Sequence, residues 1–211
     1  MNWIEKSSFW ILQVQQRSQE WQKARYGRCT SSLFSACIGE SRYTTPDEAL
    51  KQIKQEIKVE ITPAMQRGID LEPEARSIYE ETTGRKVYEI GLAVPKWNLN
   101  LAASTDGLVG EDGIIEIKCP TRYYSNLELL RTSKNFRDLI DPSHYLQMQG
   151  GMAILKRQWC HYIVYYKEYN KIFIIKVPFD EEYWNEKYKK LKQFIESSGL
   201  NKLQVLLPDS A

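Results

Sequence analysis

Polar and apolar side chains alternate most clearly within residues 101–118. Ile115 and Ile117 alternate with Glu116 and Lys118, and successive side chains of a β-strand point to opposite faces. The Gly-Glu-Asp-Gly run between the two halves is rich in residues that suit tight turns. The pattern predicts a hairpin in which Glu116 and Lys118 share one face. Its strands are expected at 101–109 and 114–118, and its turn at 110–113.

Helical spacing and capping residues predict helices on both sides of this hairpin. Thr62 and Pro63 form a strong helix start, Pro73 is expected to interrupt or kink that helix, and Gly84 is expected to end it. The order of elements predicts an α/β fold with a central mixed sheet flanked by helices. Further helices are expected over 7–24, 46–60, 144–155, part of 122–139 and after Asp180, and strands over 87–94, 159–166 and 171–179.

Length and composition narrow the class of protein. The 211-residue chain is long enough for one domain with a substantial core and short for two, so we expect a single domain over 1–211. A formal net charge of +2 excludes a bulk polycation, and any nucleic-acid binding must use local patches. The sequence lacks a signal-peptide pattern and a membrane-spanning apolar run. These features predict an intracellular protein with no membrane partner.

The cysteines and histidines argue against several kinds of site. The four cysteines are dispersed and contain no Cys-x-x-Cys pair, a pattern that disfavours a disulfide framework, a zinc ribbon or an iron–sulfur cluster. With only His144 and His161 in the chain, a histidine-based zinc site is not expected.

An anion site is one interpretation of the segment that follows Trp21. Arg25 lies four positions after Trp21, so the two side chains can meet on one helix face. Gly27 permits a turn, and the hydroxyls of residues 30–32 precede a short helix. Hydroxyls and unpaired backbone amides at a helix start bind anions, and phosphate fits the nearby arginines. Taken alone, however, this segment favours an ordinary helix cap.

Candidate chemistry converges at the predicted hairpin. Asp106 and Glu116 are oxygen ligands suited to Mg²⁺ or Mn²⁺, and the backbone carbonyl of Ile117 is a third possible ligand. Lys118 could orient or deprotonate a water molecule, or stabilise developing negative charge. A Glu-x-Lys pair by itself is more often an exposed ion pair on a strand. The hypothesis of a metal site therefore rests on Asp106 together with the Glu116-Ile117-Lys118 segment.

The combination resembles a known nuclease motif. Asp106 with Glu116-Ile117-Lys118 resembles the PD-(D/E)xK motif, with Thr105 in the proline position. More narrowly, the chain resembles the lambda-phage exonuclease family of viral recombinases. The matching segments are Glu20-Trp21 through Arg25, Gly27, Thr30-Ser31-Ser32, Arg67-Gly68 with Glu72, residues 103–107, residues 116–120, and Tyr145-Leu146-Gln147-Met148-Gln149 with Met152.

The resemblance implies a restriction-endonuclease-like core and a specific activity. The expected reaction is exonucleolytic digestion of linear double-stranded DNA from the 5′ end, which leaves 3′ overhangs for strand annealing in recombination or repair. Mg²⁺ is the implied cofactor, and Mn²⁺ can replace it. The implied metal ligands are Asp106, Glu116, the Ile117 carbonyl and Glu72, and the implied catalytic residues add Lys118 and Gln147. Arg25, Ser32 and Ser104 match positions that hold the 5′-terminal phosphate.

The resemblance also implies partners and a boundary. Double-stranded DNA ends are the implied substrate, a single-strand annealing protein is an implied partner, and a ring-shaped trimer is the implied assembly. A viral protein of this kind would act in the host cytoplasm or nucleus. Residues 1–15 fall outside the matched segments, so we expect them to form a peripheral extension.

Two other interpretations stay open at this point. A structure-specific or restriction-type endonuclease would carry the same motif, and it would cut closed circles as well as linear DNA. A non-catalytic DNA-end binding module would retain the fold without cleavage.

Overall fold

The computed structural model describes residues 2–122 and 136–206. The strands are β1 (Trp3–Glu5), β2 (Phe9–Leu12), β3 (Cys29–Thr30), β4 (Val87–Tyr88), β5 (Leu92–Pro95), β6 (Leu101–Ala102), β7 (Gly107–Val109), β8 (Gly113–Lys118), β9 (Trp159–Tyr166) and β10 (Lys171–Pro178). The helices are α1 (Gln19–Arg25), α2 (Phe34–Cys37), α3 (Pro46–Ile53), α4 (Pro63–Thr83), α5 (Pro142–Leu155) and α6 (Glu181–Ser197). Most of the predicted element over 122–139 lies outside the described residues.

A five-stranded mixed sheet forms the centre of the fold. Its strand order is β10-β9-β8-β7-β4, in which β8 and β9 are parallel and the other neighbours are antiparallel. Smaller sheets are formed by β1-β2-β5 and by β3-β6. The predicted α/β class with a mixed sheet flanked by helices is therefore confirmed.

The alternation along β8 separates two layers of the core. Ile115 and Ile117 pack with Leu71 of α4 on one face of the central sheet. Ile114 packs with Met148 of α5 on the other face. Helices therefore cover both faces, and the odd and even residues of β8 face different helices, as its sequence predicts.

The predicted first strand of the hairpin is not continuous. Residues 101–109 form β6 and β7, separated by a segment without strand pairing at 104–106. The reason is that β6 belongs to a smaller sheet with β3, and Ala103 pairs with Ala93, whereas β7 joins β8 in the central sheet. The segment 104–106 therefore crosses from one sheet to the other.

The predicted helix over 7–24 is wrong in its first half. Phe9–Leu12 is a strand that pairs antiparallel with β5, and the helix begins only at Gln19. Ser18 caps α1, because its Oγ accepts a hydrogen bond from the Trp21 amide at 3.2 Å. Leu12 is fully buried, so residues 9–12 are part of the core and not a peripheral extension. The apolar Phe-Trp-Ile-Leu run gains more from sheet pairing than from helix formation.

Helix α4 carries Glu72 along one face of the central sheet. Thr62 caps its start, Pro63 occupies the first turn, and Gly84 ends it in a left-handed conformation with φ 66°. The helix continues through Pro73, so an interruption, one of the two effects expected of Pro73, is wrong. The predicted strand over 87–94 divides into β4 and β5, which belong to different sheets.

The C-terminal half follows the predicted order closely. The start of α5 is capped by Asp141, β9 and β10 form the expected hairpin, and α6 begins after its cap, Asp180. No helix within the described ranges has the length and apolar character needed to cross a membrane.

Candidate active site

Asp106 lies at the point where the chain enters the central sheet. Its Oδ2 accepts a hydrogen bond from the Ile117 amide at 2.6 Å, and its own amide donates to the Ile115 carbonyl at 3.3 Å. The amide and carbonyl of a strand residue leave the strand on the same side. The Ile117 carbonyl therefore lies on the Asp106 side of β8, beyond the pair that Ile115 forms with Gly107, the first residue of β7.

Glu116, Lys118 and Gln147 form a hydrogen-bonded triangle on the opposite face from Ile117. The Lys118 ammonium donates to Glu116 Oε1 at 2.8 Å and to Gln147 Oε1 at 3.3 Å. Gln147 Nε2 donates to the same Glu116 oxygen at 2.7 Å. Burial would lower the pKa of Lys118, but the carboxylates of Glu116 and Asp106 outweigh it and raise that pKa above its ordinary value. The buried Glu116 thus receives two donors, one of them charged.

Glu72 approaches this group from α4, which covers the other face of the sheet. Arg76, one turn further along α4, donates to Glu72 Oε1 at 2.6 Å. Arg17 donates to Glu72 Oε2 at 3.3 Å. Both carboxylate oxygens of Glu72 are therefore engaged by guanidinium groups.

The structure brings these carboxylates near one another without forming a complete set of side-chain ligands. Burial, followed by repulsion from Glu116 and Glu72, raises the pKa of Asp106 well above its usual range. Within residues 2–122 and 136–206, no three Asp, Glu, His or Cys side chains form a group that could hold a metal by themselves. Glu72 is paired with arginines, and Glu116 is paired with Lys118.

The donor chemistry still suits a hard divalent cation. Asp106 and Glu116 offer carboxylate oxygens, and the Ile117 carbonyl lies on the same side of β8 as Asp106. These are the oxygen ligands that Mg²⁺ and Mn²⁺ prefer. Burial, together with repulsion from Glu116 and Glu72, raises the pKa of Asp106, and a bound cation relieves such repulsion between carboxylates.

A second cluster surrounds the Arg25 guanidinium, which lies 4.0 Å above the centre of the Trp21 ring. Arg25 donates to Thr30 Oγ1 at 3.2 Å, and Thr30 Oγ1 lies 3.3 Å from Ser32 Oγ. Burial lowers the pKa of Arg25 to about 10, which still leaves it charged at neutral pH. No carboxylate of the described residues forms an ion pair with Arg25. A partly buried cation beside two hydroxyls is suited to binding an anion.

Trp21 connects this cluster to the segment that carries Asp106. Its Nε1 lies 2.9 Å from Ser104 Oγ and 3.0 Å from the Gly91 carbonyl, and Ser104 Oγ also donates to Gly91 at 2.7 Å. The strand predicted over 101–109 would place Ser104 and Asp106 on one face, but 104–106 has no strand pairing. Ser104 instead turns toward Trp21, while Asp106 turns toward β8.

The sequence-predicted residues therefore form two neighbouring groups. Asp106, Glu116, Lys118 and Gln147 meet at β8. The other group joins Arg25, Ser32 and Ser104 through Trp21 and Thr30. Glu72 lies close enough to the first group for its charge to act on Asp106, but arginines hold its carboxylate oxygens. A family model for the YqaJ-like viral recombinase domain matches residues 20–158, well over half of the chain, and covers every one of these positions.

The chain belongs to the YqaJ-like viral recombinase family. This membership confirms the resemblance to the lambda-phage exonuclease family that the sequence motifs indicated. A comparison of this YqaJ-like chain with curated proteins found no match.

Solved structures extend the comparison to the whole fold. The alkaline exonuclease LHK-Exo from Laribacter hongkongensis is 31% identical, with a TM-score of 0.71 over 87% of this YqaJ-like chain and 94% of that chain. The complex of LHK-Exo with dAMP is 30% identical, with a TM-score of 0.72 over the same shares. A phage-related exonuclease from Haemophilus somnus 129PT is 17% identical, with a TM-score of 0.55 over 81% of this chain and 91% of that chain, and it shows likeness of fold alone.

Sequence reasoning missed two arginines of this YqaJ-like site. Arg76 lies four residues after Glu72 on α4, so helical spacing could have indicated it. Arg17 lies 55 residues from Glu72 in sequence and carries no local signal of the contact. Thr30 belonged to a recognised motif, but its position between Arg25 and Ser32 was not predicted.

Proposed function

We propose that this protein is a divalent-metal-dependent deoxyribonuclease that digests linear double-stranded DNA from the 5′ end and leaves 3′ overhangs. Family membership supports the nuclease class. The polarity, the overhang and the use of Mg²⁺, with Mn²⁺ as a substitute, are parts of the proposal.

The observation that carries this proposal is the segment 104–106. Ser104 contacts the Trp21 indole that lies against Arg25, and Asp106, two residues later, accepts from the Ile117 amide. A candidate phosphate pocket and a candidate cleavage site are therefore joined by one short segment. A site of this kind favours cutting at a fixed, short distance from a terminal phosphate, which is the property of an exonuclease.

The carboxylate group is proposed to hold the cation. Asp106, Glu116 and the Ile117 carbonyl would be ligands, and Glu72 would contribute a further carboxylate. When bound, the cation would polarise the phosphate and lower the pKa of a water molecule.

The neighbouring side chains are proposed to position and stabilise the reacting groups. Gln147 holds the Glu116 carboxylate in place through its 2.7 Å hydrogen bond. Lys118 would orient or deprotonate the attacking water, or stabilise the charge that develops on the phosphate.

The Arg25 cluster is proposed to hold the 5′-terminal phosphate. The guanidinium would bind the phosphate as a charged fork, and the Ser32 hydroxyl would donate to its oxygens. The Ser104 hydroxyl would donate there after turning its proton away from the Gly91 carbonyl. LHK-Exo has been solved with dAMP, a mononucleotide of the kind that such a reaction would release. The annealing partner, the trimeric ring and an intracellular location remain predictions.

The test is digestion of linear duplexes that carry a 5′-phosphate or a 5′-hydroxyl at one end and a closed hairpin at the other. In separate substrates, the label is placed at the 5′ terminus or at the 3′ terminus of the open end. With Mg²⁺ or Mn²⁺, we expect release of nucleotides from the phosphorylated 5′ end, survival of the 3′ strand, and no reaction in EDTA. Relaxed closed circles should persist.

A matched variant separates cleavage from binding. Glu116→Gln keeps the shape of the side chain but removes its charge, so it should bind phosphorylated ends and not cut them. If closed circles disappear as fast as linear DNA, the endonuclease interpretation replaces this one. If the wild-type protein binds ends and cuts nothing, it is a non-catalytic end-binding module.

A further inference from the structure

Arg17 occupies an unusual backbone position between β2 and α1. Its φ is 70°, a left-handed conformation that non-glycine residues rarely adopt. Its neighbour Gln16 anchors the loop, because Gln16 Nε2 donates to the carbonyls of Ile90 and Thr105, both at 3.0 Å. Ser18 then caps α1. The loop is therefore held on both sides of Arg17.

The ion pair with Glu72 does not account for this conformation. The Arg17 side chain is 46% exposed, and it uses one nitrogen at 3.3 Å. A pair whose arginine is half-exposed contributes little to stability, and less than a non-glycine residue held at a positive φ costs. Arg76 already neutralises Glu72 from a more buried position at 2.6 Å. Backbone strain that local contacts do not offset is typical of residues that act on a ligand.

The location of Arg17 indicates what that ligand is. Gln16 binds the carbonyl of Thr105, which lies between Ser104 of the phosphate cluster and Asp106 of the carboxylate cluster. The half-exposed guanidinium of the next residue, Arg17, contacts Glu72, and the Glu72 charge acts on Asp106, so the guanidinium lies beside the carboxylate cluster. Its other N–H groups have no hydrogen-bond partner among the described residues, and a DNA strand running from the Arg25 cluster to Asp106 brings phosphates close to it.

We propose that Arg17 binds a backbone phosphate of the strand being cut, next to the 5′-terminal phosphate, and leaves Glu72 when DNA is present. This inference rests on the proposed function, because it needs the strand to run from the Arg25 cluster to Asp106. Arg17 acts as a substrate-positioning residue. The release of Arg17 frees one oxygen of Glu72, while Arg76 keeps the other oxygen in place.

Arg17→Gly tests the proposal without adding backbone strain. Glycine adopts a φ of 70° readily, so this variant should fold at least as stably as the wild type while losing the guanidinium. Binding to a 5′-phosphorylated duplex is measured in Ca²⁺, a probe cation chosen to allow binding without turnover, over a series of salt concentrations. We expect affinity to fall by about 5- to 10-fold and the slope of log affinity against log salt to decrease by about 1.

Two further variants sharpen the comparison. Lys86→Ala removes another 3.3 Å ion pair to a carboxylate of the same helix, Glu80, about two turns from Glu72. It should change neither affinity nor salt slope. Arg17→Lys keeps the charge, so it should retain most of the salt slope and lose part of the affinity.

The outcomes separate this inference from the proposed function. If the wild type cuts linear DNA from the 5′ end and Arg17→Gly binds ends with wild-type affinity and salt slope, the role of Arg17 is disproved and the nuclease assignment stands. If the wild type neither binds nor cuts phosphorylated ends, both are wrong.

Discussion

The indole Nε1 of Trp21 lies 2.9 Å from Ser104 Oγ, and this contact joins α1 to the segment that leads to Asp106. The Arg25 guanidinium rests on the face of the same indole. One buried side chain therefore sets the position of both an arginine and a serine that the proposed function assigns to the terminal phosphate. A change in the polar edge of Trp21 should disturb end recognition before it disturbs the chemistry.

Trp21→Phe removes the Nε1 donor and keeps an aromatic surface beneath Arg25. The Gly91 carbonyl and Ser104 Oγ each lose one partner, so we expect a loss of about 1–2 kcal/mol of unfolding free energy. The rate on 5′-phosphorylated ends should fall about 10-fold, a change of about 1.4 kcal/mol, with a smaller change on 5′-hydroxyl ends. Chemical denaturation and single-turnover digestion measure the two effects.

The control for this change is Trp97→Phe. Trp97 is partly exposed after β5 and packs against Tyr188 at 5.1 Å, where it contacts neither cluster of the site. It should leave the preference for 5′-phosphate unchanged. An equal loss of preference in both variants would show that Trp21 acts only through general stability.

Lys118 and Gln147 should differ in their effect on cleavage, although both donate to the same Glu116 oxygen. Lys118→Met removes a positive charge and should slow the chemical step by about 10²- to 10⁴-fold. Gln147→Ala leaves Glu116 with its charged partner at 2.8 Å, so a loss of about 10-fold is expected. Single-turnover rates with excess enzyme on a linear duplex give the comparison. Equal losses would contradict the separate roles.

Gly150 is required by the packing of α5. A Cβ at this position would lie 2.3 Å from Phe34 Cε2, and the Phe34 ring is fully buried. Overpacking costs about 1–3 kcal/mol, which exceeds the gain of about 1 kcal/mol in helix propensity for Gly→Ala. Gly150→Ala should therefore lower the unfolding free energy by up to about 2 kcal/mol, measured by chemical denaturation.

A second glycine provides the matched control for Gly150→Ala. Gly68 lies inside α4, and an added Cβ there would meet nothing within 4 Å. Gly68→Ala should stabilise the protein by up to about 1 kcal/mol. Phe34→Leu should partly rescue Gly150→Ala, because a smaller side chain at 34 removes the clash. Destabilisation of similar size in both glycine variants would contradict the packing explanation.

The sequence predicted correctly those features of strands and helices that depend on residues close together in the chain. Glu116 and Lys118 share a face because strand side chains alternate, and Thr62 caps α4 through an amide three residues away. A glycine inside a helix indicates a small space, and the structure places the Phe34 ring against Gly150 of α5. Local composition identified a small space without revealing what fills it.

Contacts between distant parts of the chain explain what the sequence could not predict. The break at 104–106 follows from the pairing of Ala103 with Ala93, which assigns β6 and β7 to different sheets. The position of Glu72 came from family resemblance, and its pairing with Arg17 depends on the loop that Gln16 anchors. The pattern of polar and apolar residues in these segments indicates neither the break at 104–106 nor the pairing of Glu72 with Arg17.

His161 should make stability depend on pH. It is packed against Trp159 and bonded to Tyr79 through Nδ1 at 2.7 Å. Burial, with nearby Arg85 and Lys176, lowers the pKa of His161 to about 4 from an ordinary value of 6.5. The unfolded chain therefore binds a proton below pH 6.5 that the native state does not accept, so stability falls as the pH decreases from 6.5 toward 4.

His161→Asn tests this dependence, because the Asn amide can still reach Tyr79 and does not titrate. After allowance for solvent screening, the wild type should lose roughly 1–2 kcal/mol more than the variant between pH 7 and pH 4.5. The measurement is the free energy of unfolding by denaturant at half-unit pH steps, and the difference should emerge only below pH 6.5. Parallel curves for the two proteins would mean that His161 is protonated as readily in the native state as in the unfolded chain. Burial and the nearby Arg85 and Lys176 would then not exclude the proton, and the acid sensitivity of the fold would have to come from other groups.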